Sequence, residues 1–213
     1  MMTDGDRRSR PAASAVVLAG GKSARLGADK SLLVLSGQPL IARTVQQLEI
    51  LSDDLIVVTN SPERFEPLGL AARLVGDERP GEGSLMGIYS GLKAARHPHA
   101  LVVACDMPFL NPPLLRYMLS LAAGHDVVVP RVAGMLEPLH AVYSRNCLPW
   151  MARLLDEGKR KIVAFFPFVN IRYVEEDEID KLDPLRLSFV NINTPQDWEE
   201  AQKLISTGNS SPQ

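Results

Sequence analysis

Three observations predict an α/β chain with a mainly parallel sheet and helices on both faces. Short apolar runs rich in β-branched residues recur along the sequence, and they are continuous rather than alternating, as in strands covered on both faces. Segments with helical apolar spacing separate these runs, which is the strand–helix–strand grammar of right-handed crossovers. Glycine-rich and polar turns follow several of the strands, where open α/β sheets bind their ligands.

The elements follow in order. Residues 1–13 are polar, carry Arg7, Arg8 and Arg10, and read as a disordered arm. The apolar run Ala15–Ala19 behind them is too short for the core of a signal peptide. Ala15–Leu18, Leu55–Thr59, Ala100–Cys105 and Asp126–Val129 read as buried strands, and Leu139–Tyr143 and Asn170–Glu175 as further ones. Pro39–Leu51, Leu85–Ala95, Pro113–Ala123 and Arg145–Asp156 read as helices, the first from Leu40, Ile41, Val45, Leu48 and Leu51 at helical spacing. A last helix starts at Pro195, with Thr194 as its cap and Asp197 three residues on. Trp198, Ala201, Leu204 and Ile205 form its apolar stripe. Residues 207–213 read as a disordered tail, and 14–206 as one domain without internal repeats.

Composition excludes several classes. The chain has 213 residues, 46% of them apolar and 23% charged, with a net charge of −2. At roughly 150 residues per domain this is one large domain, able to bury about 70% of its unfolded surface without a disulfide or metal staple. Interspersed charge argues against nucleic acid as a partner, since binders of it carry a basic stripe. No apolar run approaches the roughly 18 residues of a membrane span. Cys105 and Cys147 lie far apart, which fits a reducing, cytoplasmic compartment.

The chemistry concentrates after the strands. The first is followed by Gly20-Gly21-Lys22-Ser23, Arg25, Gly27 and Lys30, and glycine amides with three cations suit a polyphosphate. Gly21-Lys22-Ser23 matches the end of a Walker A loop, but the earlier glycine of that motif is absent. Asn60 follows the second strand, Asp77 follows Gly76, and Gly81, Gly83 and Gly87 precede or open a helix that Ser84 could cap. Asp106, at the end of Ala100–Cys105, is either a ligand for Mg²⁺ held against phosphates or the cap of the helix after Pro112.

The stretch L-A-G-G-x-S-x-R-x-G-x-D-K from Leu18 to Lys30, with Leu32-Leu33 and Gly37–Ile41, resembles the signature of MobA-like nucleotidyltransferases, the molybdenum cofactor guanylyltransferases. Asp106-Met107-Pro108-Phe109, Gly158-Lys159-Arg160-Lys161 and Val190–Pro195 resemble later motifs of that family, so the resemblance spans about 14–206. It implies a single-domain Rossmann-like nucleotidyltransferase fold. It implies transfer of GMP from Mg·GTP to the terminal phosphate of Mo-molybdopterin. It also implies nucleotide contacts from Leu18, Ala19, Gly20, Gly21, Lys22, Ser23, Arg25, Lys30, Asn60, Asp77, Gly83, Gly87 and Asp106. Arg25, Lys30 and Asp106 would be catalytic, and Asp106 the metal ligand. Arg160, Asn191 and Asn193 would bind the acceptor, the asparagines sharing one face of a strand. Lys161 departs from the family's second arginine and replaces a planar fork with a point charge. Leu18-Ala19-Gly20-Gly21 matches the guanylyl branch, where the cytidylyl branch has L-A-A-G. A molybdoenzyme chaperone or apo-enzyme is the partner implied. The alternatives are a cytidylyl- or sugar-1-phosphate nucleotidyltransferase, and a non-catalytic GTP-binding delivery protein.

Cys105 reads as packing and Glu175–Glu178 as a solvated face. His140 reads first as a hydrogen-bonded core histidine, but Pro138-Leu139-His140-Ala141 resembles a stretch near the family's acceptor pocket, which keeps it a site candidate.

Overall fold

The computed structural model describes residues 12–20 and 30–208. In chain order the elements are β1 (Ser14–Leu18), β2 (Val34–Leu35), β3 (Gln38–Pro39), α1 (Leu40–Leu48), β4 (Leu55–Val58), β5 (Arg73–Val75) and α2 (Ser84–Ala94). There follow β6 (His99–Ala104), α3 (Pro112–Ser120), β7 (Val127–Val132), β8 (Met135–Leu136) and β9 (His140–Ser144). The chain continues with α4 (Leu148–Asp156), β10 (Ile171–Val174), α5 (Glu176–Ile179) and α6 (Pro195–Gly208). The strands of the main sheet run in the order β10-β7-β9-β6-β1-β4-β5, with β8 paired to β7. β6, β1, β4 and β5 are mutually parallel, and β10 is parallel to β7. β9 alone runs against both of its neighbours, β6 and β7. This is the mainly parallel, two-faced α/β sheet the sequence predicts.

Alternation along β1 divides the core. Ala15 and Val17 pack with Ile41, Val45 and Leu48 of α1 and with Leu114, Leu115 and Met118 of α3. Val16 and Leu18 pack on the other face with Leu85, Met86, Ile88 and Leu92 of α2 and with Met151, Leu154 and Leu155 of α4. α2 lies so close to the sheet that a Cβ on Gly91 would stand 2.4 Å from Val16 Cγ1.

Several local expectations are corrected. Ala13 is not part of a loose arm: it is buried, and Ser52 Oγ donates to its carbonyl at 2.7 Å. Residues 1–11 of that arm lie outside the described residues. So do 209–213 of the tail, but α6 runs through 207 and 208. Ser84 does not cap α2. Gly83 holds the cap position at φ 81°, a conformation that favours glycine, and no side chain closes the helix start. Residues 190–193 are irregular rather than a strand, because Ile192 N–H bonds the carbonyl of Asp106 instead of a ladder partner. Glu175–Glu178 is not a bland solvated run: Glu175 and Glu178 form a capping box on α5. Glu178 also takes Arg172 and Tyr117, and Glu175 takes Arg131.

His140 is fully buried on β9 with both ring nitrogens unpartnered, so it is not the hydrogen-bonded core histidine expected. Its ring meets Phe189 at 4.7 Å, and burial drives its pKa down to about 3.

Two outcomes follow from this packing. Gly91→Ala should destabilise the chain by about 1–3 kcal/mol, read from denaturant midpoints, because the stiff Val16 side chain cannot move aside. The second concerns pH. In the unfolded chain a histidine takes its proton near 6.5, whereas folded His140 stays neutral down to about 3. Unfolding therefore takes up a proton between those values, and stability falls with pH through that window by about 1.4 kcal/mol per unit. His140→Leu should remove this slope. It should also raise stability at neutral pH by about 1 kcal/mol, because the two unpaired ring nitrogens leave the core. Urea titrations between about pH 4 and pH 7 read both effects.

Candidate active site

The parallel register sets the site. Leu18 pairs with Val58 on one side and Ala104 on the other, so β1, β4 and β6 end level. Backbone bonds carry the alignment one residue further, from Ala19 N to Val58 O and from Cys105 N to Leu18 O, at 2.9 and 3.1 Å. Ala19, Asn60, Asp77 and Asp106 therefore share one edge of the sheet.

Asp106 does not cap the following helix. Asn111 does, accepting from Leu114 N–H at 3.0 Å, and this leaves the Asp106 carboxylate to the site. It is about one-fifth exposed, with Lys30 Nζ 3.7 Å from Oδ2. Burial raises its pKa, and Lys30 opposes that rise. Lys30 donates to Asn193 Oδ1 at 2.6 Å. Asn193 is itself pinned by the start of α6: Asp197 Oδ2 accepts from Asn193 and Thr194 N–H at 2.7 and 2.8 Å, and Asp197 N–H donates to Thr194 Oγ1 at 3.2 Å. A motif near the C-terminus thus completes a cluster that begins near the N-terminus. Asn191, its neighbour in the same motif, donates to Phe189 O instead.

Asn60 and Asp77 form a second unit. Asn60 Nδ2 donates to Asp77 Oδ2 at 2.7 Å, and Asp77 N–H donates to Asn60 Oδ1 at 2.9 Å. Asp77 Oδ1 is buried without a hydrogen-bond partner, and burial raises the pKa of this carboxyl against the Asn60 bond. Gly87 lies against this unit and β1, its Cβ position 3.3 Å from Leu18 Cδ2 and 3.7 Å from Asp77 Oδ1. Gly20 is exposed, and a Cβ there would meet nothing within 4 Å. Gly21, Lys22, Ser23 and Arg25 lie outside the described residues.

Arg160 has partners different from those of Asn191 and Asn193. After α4, Gly158 turns the chain at φ 74°, and Arg160 Nη1 donates to the carbonyls of Leu155 and Lys159. Its Nη2 lies 3.1 Å from Glu82 Oε1, on the turn before α2. Motif reading missed Glu82 and Arg79. Their signal was a carboxylate between Gly81 and Gly83, where only the glycines drew attention.

What the site can do follows from its charges. Two carboxylates at strand ends are held where ionisation is disfavoured, so each gains from a cation or a hydrogen-bond donor. The donor set at Asp106 is hard oxygen beside a lysine. That fits Mg²⁺, which takes one or two carboxylates and completes its shell with phosphate and water.

Comparison with known proteins gives the family. Residues 15–174 match the family described as MobA-like NTP transferase domain. A probable molybdenum cofactor guanylyltransferase of Pelotomaculum thermopropionicum is 40% identical over 190 residues, 89% of this chain and 92% of its own length. A molybdenum cofactor guanylyltransferase of Desulfosudis oleivorans is 37% identical over 92% of this chain and 98% of its own. The crystal structure of molybdopterin-guanine dinucleotide biosynthesis protein A from Archaeoglobus fulgidus superposes with a TM-score of 0.80 at 29% identity, covering 91% of this chain and 99% of its own. A 2-C-methyl-D-erythritol 4-phosphate cytidylyltransferase from Thermus thermophilus, 19% identical with a TM-score of 0.69, shares the fold. With the strand-end site and these relatives together, the chain belongs to the MobA-like NTP transferase family and is a nucleotidyltransferase of the molybdenum cofactor guanylyltransferase kind.

Proposed function

We propose that the chain transfers GMP from Mg·GTP to the terminal phosphate of Mo-molybdopterin, releasing pyrophosphate and the guanine dinucleotide form of the cofactor. The observation that carries the reading is the Asp106–Lys30–Asn193 cluster at the carboxyl edge of the sheet. It lies in a chain 40% identical to a probable guanylyltransferase.

The roles divide by chemistry. Asp106 would hold Mg²⁺, which when bound offsets negative charge on the nucleotide phosphates. Lys30, with Arg25 and the amides of Gly20, Gly21, Lys22 and Ser23, neutralises charge building on the leaving pyrophosphate. Asn60 and Asp77 meet the base, and the open space at Gly20 leaves room for the nucleotide. Arg160 and Asn191 face the acceptor, and Asn193 holds Lys30. The acceptor phosphate is already ionised, so in-line attack on the α-phosphorus needs little base catalysis. Alignment and electrostatics supply the rate. We place this chemistry in the cytoplasm, with hand-over of the labile product to a molybdoenzyme chaperone or apo-enzyme. Among the described residues no helix is long and apolar enough to cross a membrane.

Thermal unfolding with each nucleoside triphosphate, with and without Mg²⁺, tests the donor. GTP at a hundredfold excess over its dissociation constant should raise the midpoint by about 5–10 °C only with Mg²⁺. Stabilisation by CTP alone would overturn the guanylyl assignment. Asp106→Asn should lose the Mg²⁺ dependence and cut turnover by roughly a hundredfold or more. A merely nucleotide-binding delivery protein would show no turnover to lose. Asn193→Ala should lower kcat about tenfold while leaving the α6 cap intact, because Lys30 loses the neutral acceptor that orients it. Steady-state kinetics beside a thermal midpoint separate this from a loss of folding.

A further inference from the structure

The turn before α2 meets the end of α4 through four alternating charges. Asp156 Oδ1 accepts from Arg79 Nη1 at 3.0 Å, Arg79 Nε lies 3.3 Å from Glu82 Oε2, and Glu82 Oε1 lies 3.1 Å from Arg160 Nη2. Glu82 is the least exposed of the four, at 21% against 39% for Arg160, 41% for Arg79 and 71% for Asp156. It stands between Gly81 and Gly83, at φ 86° and 81°, backbone conformations that favour glycine.

Backbone carbonyls hold Arg160 by one end only. Its Nη1 is spent on the carbonyls of Leu155 and Lys159 at the close of α4. Among the described residues no carbonyl takes Nη2 or Nε, the edge with which a guanidinium grips an oxyanion in a fork. Only the Glu82 carboxylate stands beside that edge. Glu82 in turn has a second cation, Arg79, against its other oxygen. Glu82 is therefore a carboxylate shared between two guanidiniums, and Arg79 already holds one of its oxygens and Asp156 besides.

We propose that Glu82 sets the acceptor specificity of this chain by competing for Arg160. The carboxylate occupies Nη2 until a phosphate of higher charge displaces it, and Arg79, already on its other oxygen, keeps the displaced carboxylate. A dianionic phosphate acceptor makes this exchange, and a singly charged carboxylate does not. The inference rests on Arg160 as an acceptor-phosphate contact, and it adds to that reading the residue that guards the contact. Glu82 is a positioning residue, since it acts through Arg160 rather than on the reacting atoms.

The test uses variants whose effects have opposite signs. With the full chain, GTP, Mg²⁺ and Mo-molybdopterin, Glu82→Gln removes the competitor and should lower the acceptor KM about threefold. Arg79→Gln removes the carboxylate's alternative partner and should raise the acceptor KM by a similar factor, about threefold. The GTP KM is the internal reference for each variant. Arg160→Ala is the control for the underlying reading and should raise the acceptor KM more than either. If Arg160→Ala raises it while Glu82→Gln and Arg79→Gln move it in the same direction, or leave it alone, Glu82 is a structural brace and the proposal fails with the Arg160 contact intact. If Arg160→Ala leaves the acceptor KM unchanged, the Arg160 contact itself fails, and the proposal with it. Titration of the GTP-loaded chain with inorganic phosphate gives a second readout. Binding should tighten in Glu82→Gln and weaken in Arg79→Gln.

Discussion

The site depends on β1 being buried between two parallel neighbours in matched register. Leu18 lies opposite both Val58 and Ala104, so three strands end at one level and their turns open on one edge. Shifting β1 by one residue would exchange the set that packs on α1 and α3 with the set that packs on α2 and α4. Both sets are apolar, so pattern alone would tolerate that slip. Specific contacts oppose it: over Val16 only a glycine fits at position 91 of α2, and Ser14 Oγ reaches Asp54 at 2.6 Å.

Asp54 locks the opposite end of the sheet. Its carboxylate also accepts from Arg73 Nη2 at 2.7 Å and from Arg96 N–H at 2.9 Å, joining β1, β5 and the entry to β6. Burial alone would raise its pKa, but these hydrogen bonds and the Arg73 charge carry it below the ordinary aspartate value. The strand-end carboxylates behave in the reverse way, because Asp77 and Asp106 lie where burial outweighs the partners they have. At one end of the sheet the carboxylate's ionised form is favoured, and at the other it is disfavoured.

The two halves of the chain interlock rather than dividing donor from acceptor. Asn193 comes from the late motif yet holds Lys30, and Arg160 comes from the turn after α4 yet meets the Glu82 turn. The capping box of α6 therefore does two things: it starts a helix, and it fixes the amide that orients the lysine.

Much of the fold was legible in the sequence, since continuous apolar runs mark buried strands and helical spacing marks the layers between them. Lys30 and Asp106 stood out because local grammar, a cation behind a glycine-rich turn and a carboxylate after an apolar run, is written within a few positions, whereas Asn60 and Asp77 stood out only through the resemblance to the family. The short edge strand β5 and the reversal of β9 were not legible, since three residues of Arg73–Val75 carry no period and an apolar run has no direction. Nor could spacing show that Val190–Asn193 is irregular, that His140 is buried without a partner, or that Glu82 faces Arg160. By itself the sequence determined the layers, the cap of the last helix and the residue types at the strand ends, because these depend on neighbours a few residues away. Only the tertiary structure decided which side chains meet. Contacts such as Lys30 with Asn193 join segments that lie 163 residues apart, and only closure of the sheet brings them together.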